Sequence, residues 1–307
     1  MSDPVNLAAE ALKAGRLVVI PTETVYGLGA DATNDRAVAA IYAAKGRPKF
    51  NPLIVHVVAL ADAERLGVFN EPARKLAHAF WPGPLTIIMP RKPDCPVSLL
   101  ASAGLPTIAL RIPRHPLTQK LLRAFGRPIV APSANVSGKI SPTSTDHVRR
   151  SLGDQVAMIL DGGPCEVGLE STIIGCAGHE PSLLRAGGVP REDAERVLGH
   201  PISMQNNAKS IAAPGQLESH YAPRAELRLN ATAPRAGEAY LGFGSMDGPH
   251  NLSARGDLVE AAANLFRLLH ELDATGAKTI AVAPIPVTGL GEAINDRLKR
   301  AAAPRQP

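Results

Sequence analysis

Residues 17–29, Leu17-Val18-Val19-Ile20-Pro21-Thr22-Glu23-Thr24-Val25-Tyr26-Gly27-Leu28-Gly29, read as a short buried strand running into a polar loop that contains two glycines. A strand covered on both faces needs no alternation, only an apolar run closed by turn residues. Gly15 and Pro21 close this one. The loop carries hydroxyls at Thr22, Thr24 and Tyr26, while Gly27 and Gly29 let the backbone approach a ligand closely. Two readings stand, a plain strand-to-helix connection and a ligand loop. It is not a dinucleotide fingerprint, because the third glycine and the later ribose-binding acid are missing. No phosphate loop of the GxxxxGK[ST] type occurs, and Gly138-Lys139-Ile140 lacks both its spacing and its hydroxyl.

Working outward, Leu7 to Ala14 has the spacing of a short helix, and Asp35 to Ala44 that of a second one through Val38, Ile41 and Tyr42, stopped by Gly46 and Pro48. Apolar runs at Leu53 to Val58, Leu85 to Met89, Thr107 to Leu110, Ile129 to Ala131, Ala157 to Leu160, Ser171 to Ile174 and Ser182 to Leu184 are strand candidates. Helical patterns cover Ala73 to Phe80, Pro116 to Ala124 and Asp146 to Leu152. Strict βαβ alternation is absent, so residues 1–199 are expected to form an α+β or mixed-sheet α/β domain and not a doubly wound one. Periodicity fades over 200–224, a linker that is long for a passive connection. In residues 225–307, Leu227 to Leu229, Ala239 to Gly242 and Thr279 to Ala283 read as strands. Leu258, Ala262, Leu265, Leu269 and Leu272 mark one helix face, and Leu290 to Ala302 a last helix, giving a second, smaller α/β domain.

A chain of 307 residues that is 45% hydrophobic can bury a large core and favours two domains. Its charge of +5 is spread thinly: 22 Lys+Arg face 18 Asp+Glu up to residue 200, and 11 face 10 beyond. That excess is too small to argue for nucleic acid by itself. Cys95, Cys165 and Cys176 make neither an even framework nor a CxxC pair, so disulfides and structural zinc are not expected, and a reducing cytoplasm fits. Neither a signal peptide nor a membrane span is expected.

Lys45 and Arg47 lie where a helix ends, a place that favours cations through the helix dipole and equally suits a phosphate clamp. Arg111 directly follows the apolar run Ile108-Ala109-Leu110, so it needs an anionic partner, either from the protein or from a ligand. Ser133-Ala134-Asn135 follows a strand and reads as an ordinary Ser or Asx turn or as a cluster of ligand-binding polar groups. His56 on an apolar strand reads as a core histidine or a ligand contact, and His115 before Pro116 as a helix cap.

Together these segments resemble the YrdC-like family, and most closely its two-domain members. The resemblance rests on Lys45-Gly46-Arg47, Ser133-Ala134-Asn135, Trp81-Pro82-Gly83-Pro84-Leu85-Thr86, Glu170-Ser171-Thr172-Ile173 and Leu184-Arg185-Ala186-Gly187. It continues through Pro214-Gly215, His220-Tyr221-Ala222-Pro223 and Ala293-Ile294-Asn295-Asp296-Arg297-Leu298. It implies a twisted mixed-sheet fold and a nucleotidyl transfer in which L-threonine, bicarbonate and ATP give threonylcarbamoyl-adenylate and pyrophosphate. It also implies Mg²⁺ carried with ATP, no firmly expected protein metal ligand, and downstream proteins that transfer the group to a tRNA adenosine beside the anticodon. Lys45, Arg47, Ser133 and Asn135 would form the catalytic group. Thr24, His56, Arg111, Ala131, Ser133 and Ser171 would surround threonine, and Arg47, Asn51, Thr107, Ser133, Ser141, Arg185 and Tyr221 would surround ATP.

The chain departs from the family at Gln216-Leu217-Glu218-Ser219, where a basic and aromatic stretch is usual before His-Tyr-Ala-Pro. Tyr221 is retained, and the linker is expected to fold over the first-domain pocket as a lid. Asn295-Asp296-Arg297 is read as a polar network on a helix surface. Two other functions remain open: a double-stranded RNA-binding module with weak RNA or tRNA contact, and another carbamoyl-transfer enzyme.

Overall fold

The computed structural model describes residues 3–204, 219–246 and 248–304. Ten strands form one sheet: β1 (Val18–Ile20), β2 (Gly27–Asp31), β3 (Ile54–His56), β4 (Leu85–Pro90), β5 (Thr107–Arg111), β6 (Ile129–Val130), β7 (Met158–Ile159), β8 (Thr172–Gly175), β9 (Ser182–Arg185) and β10 (Ser203–Met204). Their order across the sheet is β10-β9-β8-β4-β5-β3-β6-β2-β1-β7. Parallel pairs (β3 with β5, β4 with β8, β1 with β7, β9 with β10) mix with antiparallel ones, as the missing βαβ alternation implies.

The sequence reading placed a loop where β2 stands. Gly-Leu-Gly-Ala-Asp lacks the β-branched residues that favour strands, yet β2 pairs with β1 in register Val18↔Gly29. A Cβ at Gly29 would lie 2.9 Å from the Val18 carbonyl oxygen. This glycine therefore serves close strand packing and not ligand approach, which corrects the expectation for it.

Side chains alternate across the sheet. On one face Val19, Val55, Ile87, Leu110, Val130 and Ile174 join the main core. That core is closed by α2 (Asp35–Lys45), α3 (Leu60–Leu66) and α4 (Glu71–Phe80), the last packed against α7 (Arg191–Leu198). The opposite face is covered in two parts. Near β1 and β6, α1 (Pro4–Lys13) and α5 (Pro116–Phe125) bury Val18, Ile20 and Ile129 beneath Leu12, Leu121 and Phe125. Beyond that cover, Ile54, Ile88, Ala109 and Ile173 form a small separate apolar patch. The same alternation puts His56 and Arg111 on this face, both buried, and Ser171 lies just before the start of β8.

The second domain is a parallel three-stranded sheet in the order β11 (Glu226–Arg228), β13 (Thr279–Val282), β12 (Ala239–Leu241). It packs against α8 (Leu258–Ala274) and α9 (Leu290–Ala302). Leu265, Phe266, Leu269 and Ile294 belong to the same core cluster as the first domain's main face. Polar contacts reinforce the join: Arg191 pairs with Glu292, the Gly289 N–H donates to Glu192, and His147 of α6 (Thr145–Leu152) stacks on His270 at 3.9 Å between centroids. The expected linker is described only in part. Ser203 and Met204 extend the first sheet, whereas Pro214-Gly215 and Gln216-Leu217-Glu218 lie outside the described residues. Among the described residues no helix is long and apolar enough to cross a membrane, and Cys95, Cys165 and Cys176 are free thiols.

Candidate functional site

A small buried cavity at this end of the sheet face is walled by Thr24, Arg47, Ile54, His56, Arg111, Ala131, Ser133, Glu170, Ser171, Arg185, His220 and Tyr221. They enclose a cavity of about 50 Å³, room for roughly four waters and hence for a small amino acid. β3, β5 and β6 deliver His56, Arg111 and Ala131 at their ends, and β8 and β9 deliver Ser171 and Arg185.

Arg111 finds its anion within the protein. Its Nη2 donates to Glu23 Oε1 at 2.7 Å, and its Nε to the Gly83 carbonyl at 3.3 Å. The Trp81-to-Thr86 segment thus places an acceptor on this arginine, and Trp81 Nε1 closes its turn by donating to the Leu85 carbonyl at 2.7 Å. Burial pushes the Glu23 carboxyl up, but the Arg111 charge and hydrogen bonds from Arg111 and the Arg114 N–H outweigh it and hold Glu23 ionised. Glu23 was not singled out from the sequence. The signal was Arg111 itself, whose burial demanded a carboxylate.

Arg47 differs. Gly46 ends α2 in the left-handed conformation and turns Arg47 back toward the sheet. Its guanidinium donates to Asn51 Oδ1 at 2.7 Å, the Asn51 carbonyl at 3.2 Å and the Pro52 carbonyl at 2.9 Å. All three acceptors are neutral. Burial pulls its pKa down to about 10, so it stays cationic at neutral pH. A buried cation held by neutral oxygens suits an anionic ligand.

Lys45 does not line the cavity. Its ammonium donates to the Ser133 carbonyl at 2.6 Å and to the Asn135 carbonyl, and burial, then the Arg47 charge, pushes its pKa well below the usual lysine value. Lys45, read from the sequence as a phosphate cation, here pins the loop that carries Ser133. Asn135 likewise does not line the cavity; its Nδ2 donates to the carbonyls of Val136 and Lys139, and its Oδ1 is buried without a hydrogen-bond partner. Ser133 does line it, and so does Thr24, whose hydroxyl bonds that of Thr22 at 2.8 Å.

Ser171 is clamped between Thr86, at 2.7 Å between hydroxyl oxygens, and Arg185, which donates to its carbonyl and hydroxyl. The clamp depends on Gly187. A Cβ there would meet the Glu170 carbonyl oxygen at 2.4 Å and Ser171 and Thr172 backbone atoms at 2.5 Å. Glu170, also not singled out as a site residue, accepts from Ser141 Oγ at 2.5 Å and from Arg297 Nε at 2.8 Å. Arg297 is wholly buried. The expected network of helix contacts is present, but the part that Arg297 makes is buried between α9 and the first domain.

Thr107 is not brought to the cavity. It sits four residues before Arg111 on the same face of β5, about 13 Å along the strand, beside a second recess lined by Pro52, Ile88 and Ala109. Three side chains of the cavity wall hold a buried polar atom without a hydrogen-bond partner, His56 Nδ1, His220 Nδ1 and Tyr221 Oη, and so do Asn51 Nδ2, bonded through its Oδ1 to Arg47, and Arg297 Nη2 behind Glu170; Arg91 Nη1 and Asn135 Oδ1 are further such atoms. Such atoms are rare and call for an explanation at each place they occur. Burial pushes His56 and His220 down to about 3, so both imidazoles are neutral near pH 7.

Known proteins match this chain along nearly its whole length. The family described as "Telomere recombination", comprising Sua5, YciO and YrdC, matches residues 10–187, and the one described as "Threonylcarbamoyl-AMP synthase, C-terminal domain" matches residues 189–303. A threonylcarbamoyl-AMP synthase of Bacillus subtilis is 43% identical, over 99% of this chain and 94% of its own. One of Pyrococcus abyssi is 39% identical over 98% and 94%. The crystal structure of P. abyssi Sua5 complexed with L-threonine superposes with a TM-score of 0.90 at 38% identity, over 97% of this chain and 94% of that one. The chain belongs to the Sua5/YciO/YrdC family and carries the family's C-terminal Sua5 domain as well.

Proposed function

We propose that this protein is a threonylcarbamoyl-AMP synthase, converting L-threonine, bicarbonate and ATP to L-threonylcarbamoyl-adenylate, pyrophosphate and water. The observation that carries the reading is one cavity of amino-acid size in which Arg47, Arg111 and Arg185 converge with unpartnered polar atoms, in a chain alike over nearly its full length to synthases of that name.

The threonine carboxylate is assigned to Arg111 and Ser171, with Thr24, His56, Ala131 and Ser133 around the rest of the molecule. The threonine amine attacks bicarbonate-derived carbon to form a carbamate. A carbamate oxygen then attacks the α-phosphorus of ATP, and the bond to pyrophosphate breaks. The substrate supplies the nucleophile, so the protein's part is to align three reactants and offset their charge. Neutral His56 accepts hydrogen bonds without adding charge. Arg47 and Arg185 face the phosphates, with Asn51 and Ser141 beside them, and Lys45 and Asn135 keep the Ser133 loop in place. Mg²⁺ is read as part of the substrate, carried by the phosphates of ATP. A nucleotide reaching from Arg111 toward Thr107 would lie along the sheet face formed by Ile54, Ile88 and Ala109.

A cavity of about 50 Å³ is far below the several hundred Å³ of a nucleotide pocket. Admission of ATP therefore requires His220 and Tyr221 to move, which is the lid role read from the linker. The labile adenylate is assigned to tRNA-modifying transfer proteins in the cytoplasm. The test is pyrophosphate release by the purified protein with MgATP, omitting threonine or bicarbonate in turn. Release that needs both supports the reading, and release indifferent to threonine removes it. In parallel, tight RNA binding that weakens steeply with salt would favour the RNA-binding alternative.

A further inference from the structure

Among the described residues, the wall of the cavity contains no side chain from the second domain. One residue of that domain nevertheless reaches the site from behind. Arg297 projects from α9 with no exposure to solvent, whereas an arginine on an amphipathic helix ordinarily carries its charge out to water. We propose that Arg297 is a positioning residue for the nucleotide half of the site, acting through Glu170 and Tyr221. The inference rests on the ATP-dependent reading above.

Arg297 Nε donates to Glu170 Oε2 at 2.8 Å, its Nη1 donates to Asp296 Oδ2 at 2.8 Å, and its guanidinium lies 5.1 Å from the centroid of the Tyr221 ring. Glu170 is in the wall, and its other oxygen takes the Ser141 hydroxyl. The second domain holds Ser141 from the far side as well, through a hydrogen bond of 3.2 Å between His270 Nε2 and the Ser141 carbonyl. Tyr221 has φ of +62°, a left-handed conformation that a bulky residue adopts only when its surroundings impose it. Those surroundings are the Arg297 guanidinium, the Phe266 ring at 5.6 Å and the His220 ring at 4.0 Å, while the His220 N–H donates to the Arg300 carbonyl of α9.

The electrostatic consequence is specific. Glu170 is a buried carboxylate in the wall of a site assigned to a triphosphate, where an uncompensated negative charge repels the ligand. Arg297 compensates it and orients its oxygens. Loss of the guanidinium therefore acts on the polyanion first, and on threonine at the Arg111 end much less. A merely structural role would weaken both ligands together.

The experiment uses the full-length protein and measures binding of MgATP and of L-threonine separately by calorimetry. In Arg297→Met the MgATP dissociation constant is expected to rise about tenfold or more, as when one member of a buried charge pair is removed. The threonine constant is expected to stay within about twofold. Adding Glu170→Gln to that variant removes the stranded charge and should bring MgATP binding back toward wild type. Unchanged MgATP binding in Arg297→Met, equal loss of both ligands, or a double variant no better than the single one each overturns the proposal. If Arg297→Met does not fold, Arg297→Lys carries the test: it keeps the compensating charge but loses the fork that orients Glu170, so a smaller loss, still confined to MgATP, is expected, and equal loss of both ligands overturns the proposal. If the wild type fails to bind MgATP, the functional reading itself fails, an outcome separate from all of these.

Discussion

Removing the charge of Glu23 is a direct way to ask whether Arg111 is set to receive a carboxylate. Glu23 and Arg111 are both almost fully buried and pair at 2.7 Å, and Glu23→Gln keeps the shape while leaving Arg111 as a buried cation without an anion. Stranding one member of such a pair costs roughly 3–5 kcal/mol. With an unfolding entropy near 2.1 cal/mol/K per residue, 307 residues give about 0.6 kcal/mol/K, so the free protein should melt about 5–8 °C lower. The threonine carboxylate then supplies the missing anion and no longer meets a second carboxylate nearby. Two like charges about 5 Å apart interact by roughly 3 kcal/mol at an effective dielectric of 20, so threonine should bind at least about tenfold more tightly to the variant. At a fixed threonine concentration well above the dissociation constant, that adds about 1.4 kcal/mol, or roughly 2 °C, to the ligand-induced rise. Thermal shift with and without L-threonine reads both effects. An unchanged melting temperature for the free variant, or a threonine-induced rise no larger than in the wild type, refutes the reasoning.

Other perturbations test other parts of the site. Arg47→Ala, which removes a cation held only by Asn51 and Pro52 oxygens, should cut adenylate formation by about a hundredfold or more with an unchanged circular dichroism spectrum; retained turnover would take Arg47 out of the site. Gly187→Ala forces a Cβ against the Glu170-to-Thr172 backbone, so a loss of about 1–3 kcal/mol in denaturant unfolding and a raised threonine KM are expected, and a fully active, equally stable variant would show that the clamp does not depend on this contact. His56 and His220 are held by burial near 3 in the fold, below the ordinary histidine value of about 6.5. The unfolded chain therefore binds the extra protons: their contribution is complete above about pH 6.5 and declines as pH falls, by about 2 kcal/mol each at pH 5. Denaturant midpoints that stay constant from pH 7 to 5 would contradict that account.

The residues most legible in the sequence were those whose chemistry leaves a local mark. Arg111 stood at the end of an apolar strand, Ser133 followed another, and Gly46 ended a helix just before Arg47. All three patterns place a polar group where a sheet or helix stops. What escaped depended on partners far along the chain. β2 reads as a loop from the sequence because its glycines fit backbone neighbours in β1, Gly29 against Val18 and Gly27 against Ile20, which no local propensity encodes. The end of a helix marks Lys45 as a cation, but not its hold on the Ser133 loop, because the carbonyls it bonds lie 88 and 90 residues away. The helical pattern around Arg297 correctly gave α9, yet a polar residue in such a pattern defaults to the solvent side, and only its pairing with Glu170, 127 residues distant, reverses that assignment. α3 and α7 leave no periodic mark in the sequence because each is short, with two buried residues apiece.

The central claim is that bicarbonate carbon, threonine and AMP become one molecule on this protein. Full-length protein is incubated with MgATP, L-threonine and ¹³C-bicarbonate, and the nucleotide products are resolved by mass while pyrophosphate is assayed in the same sample. The account requires a threonylcarbamoyl-adenylate one mass unit heavier than its unlabelled form, with pyrophosphate released in equal amount. Pyrophosphate without the heavy adenylate, or an adenylate that carries threonine but no label, would contradict it.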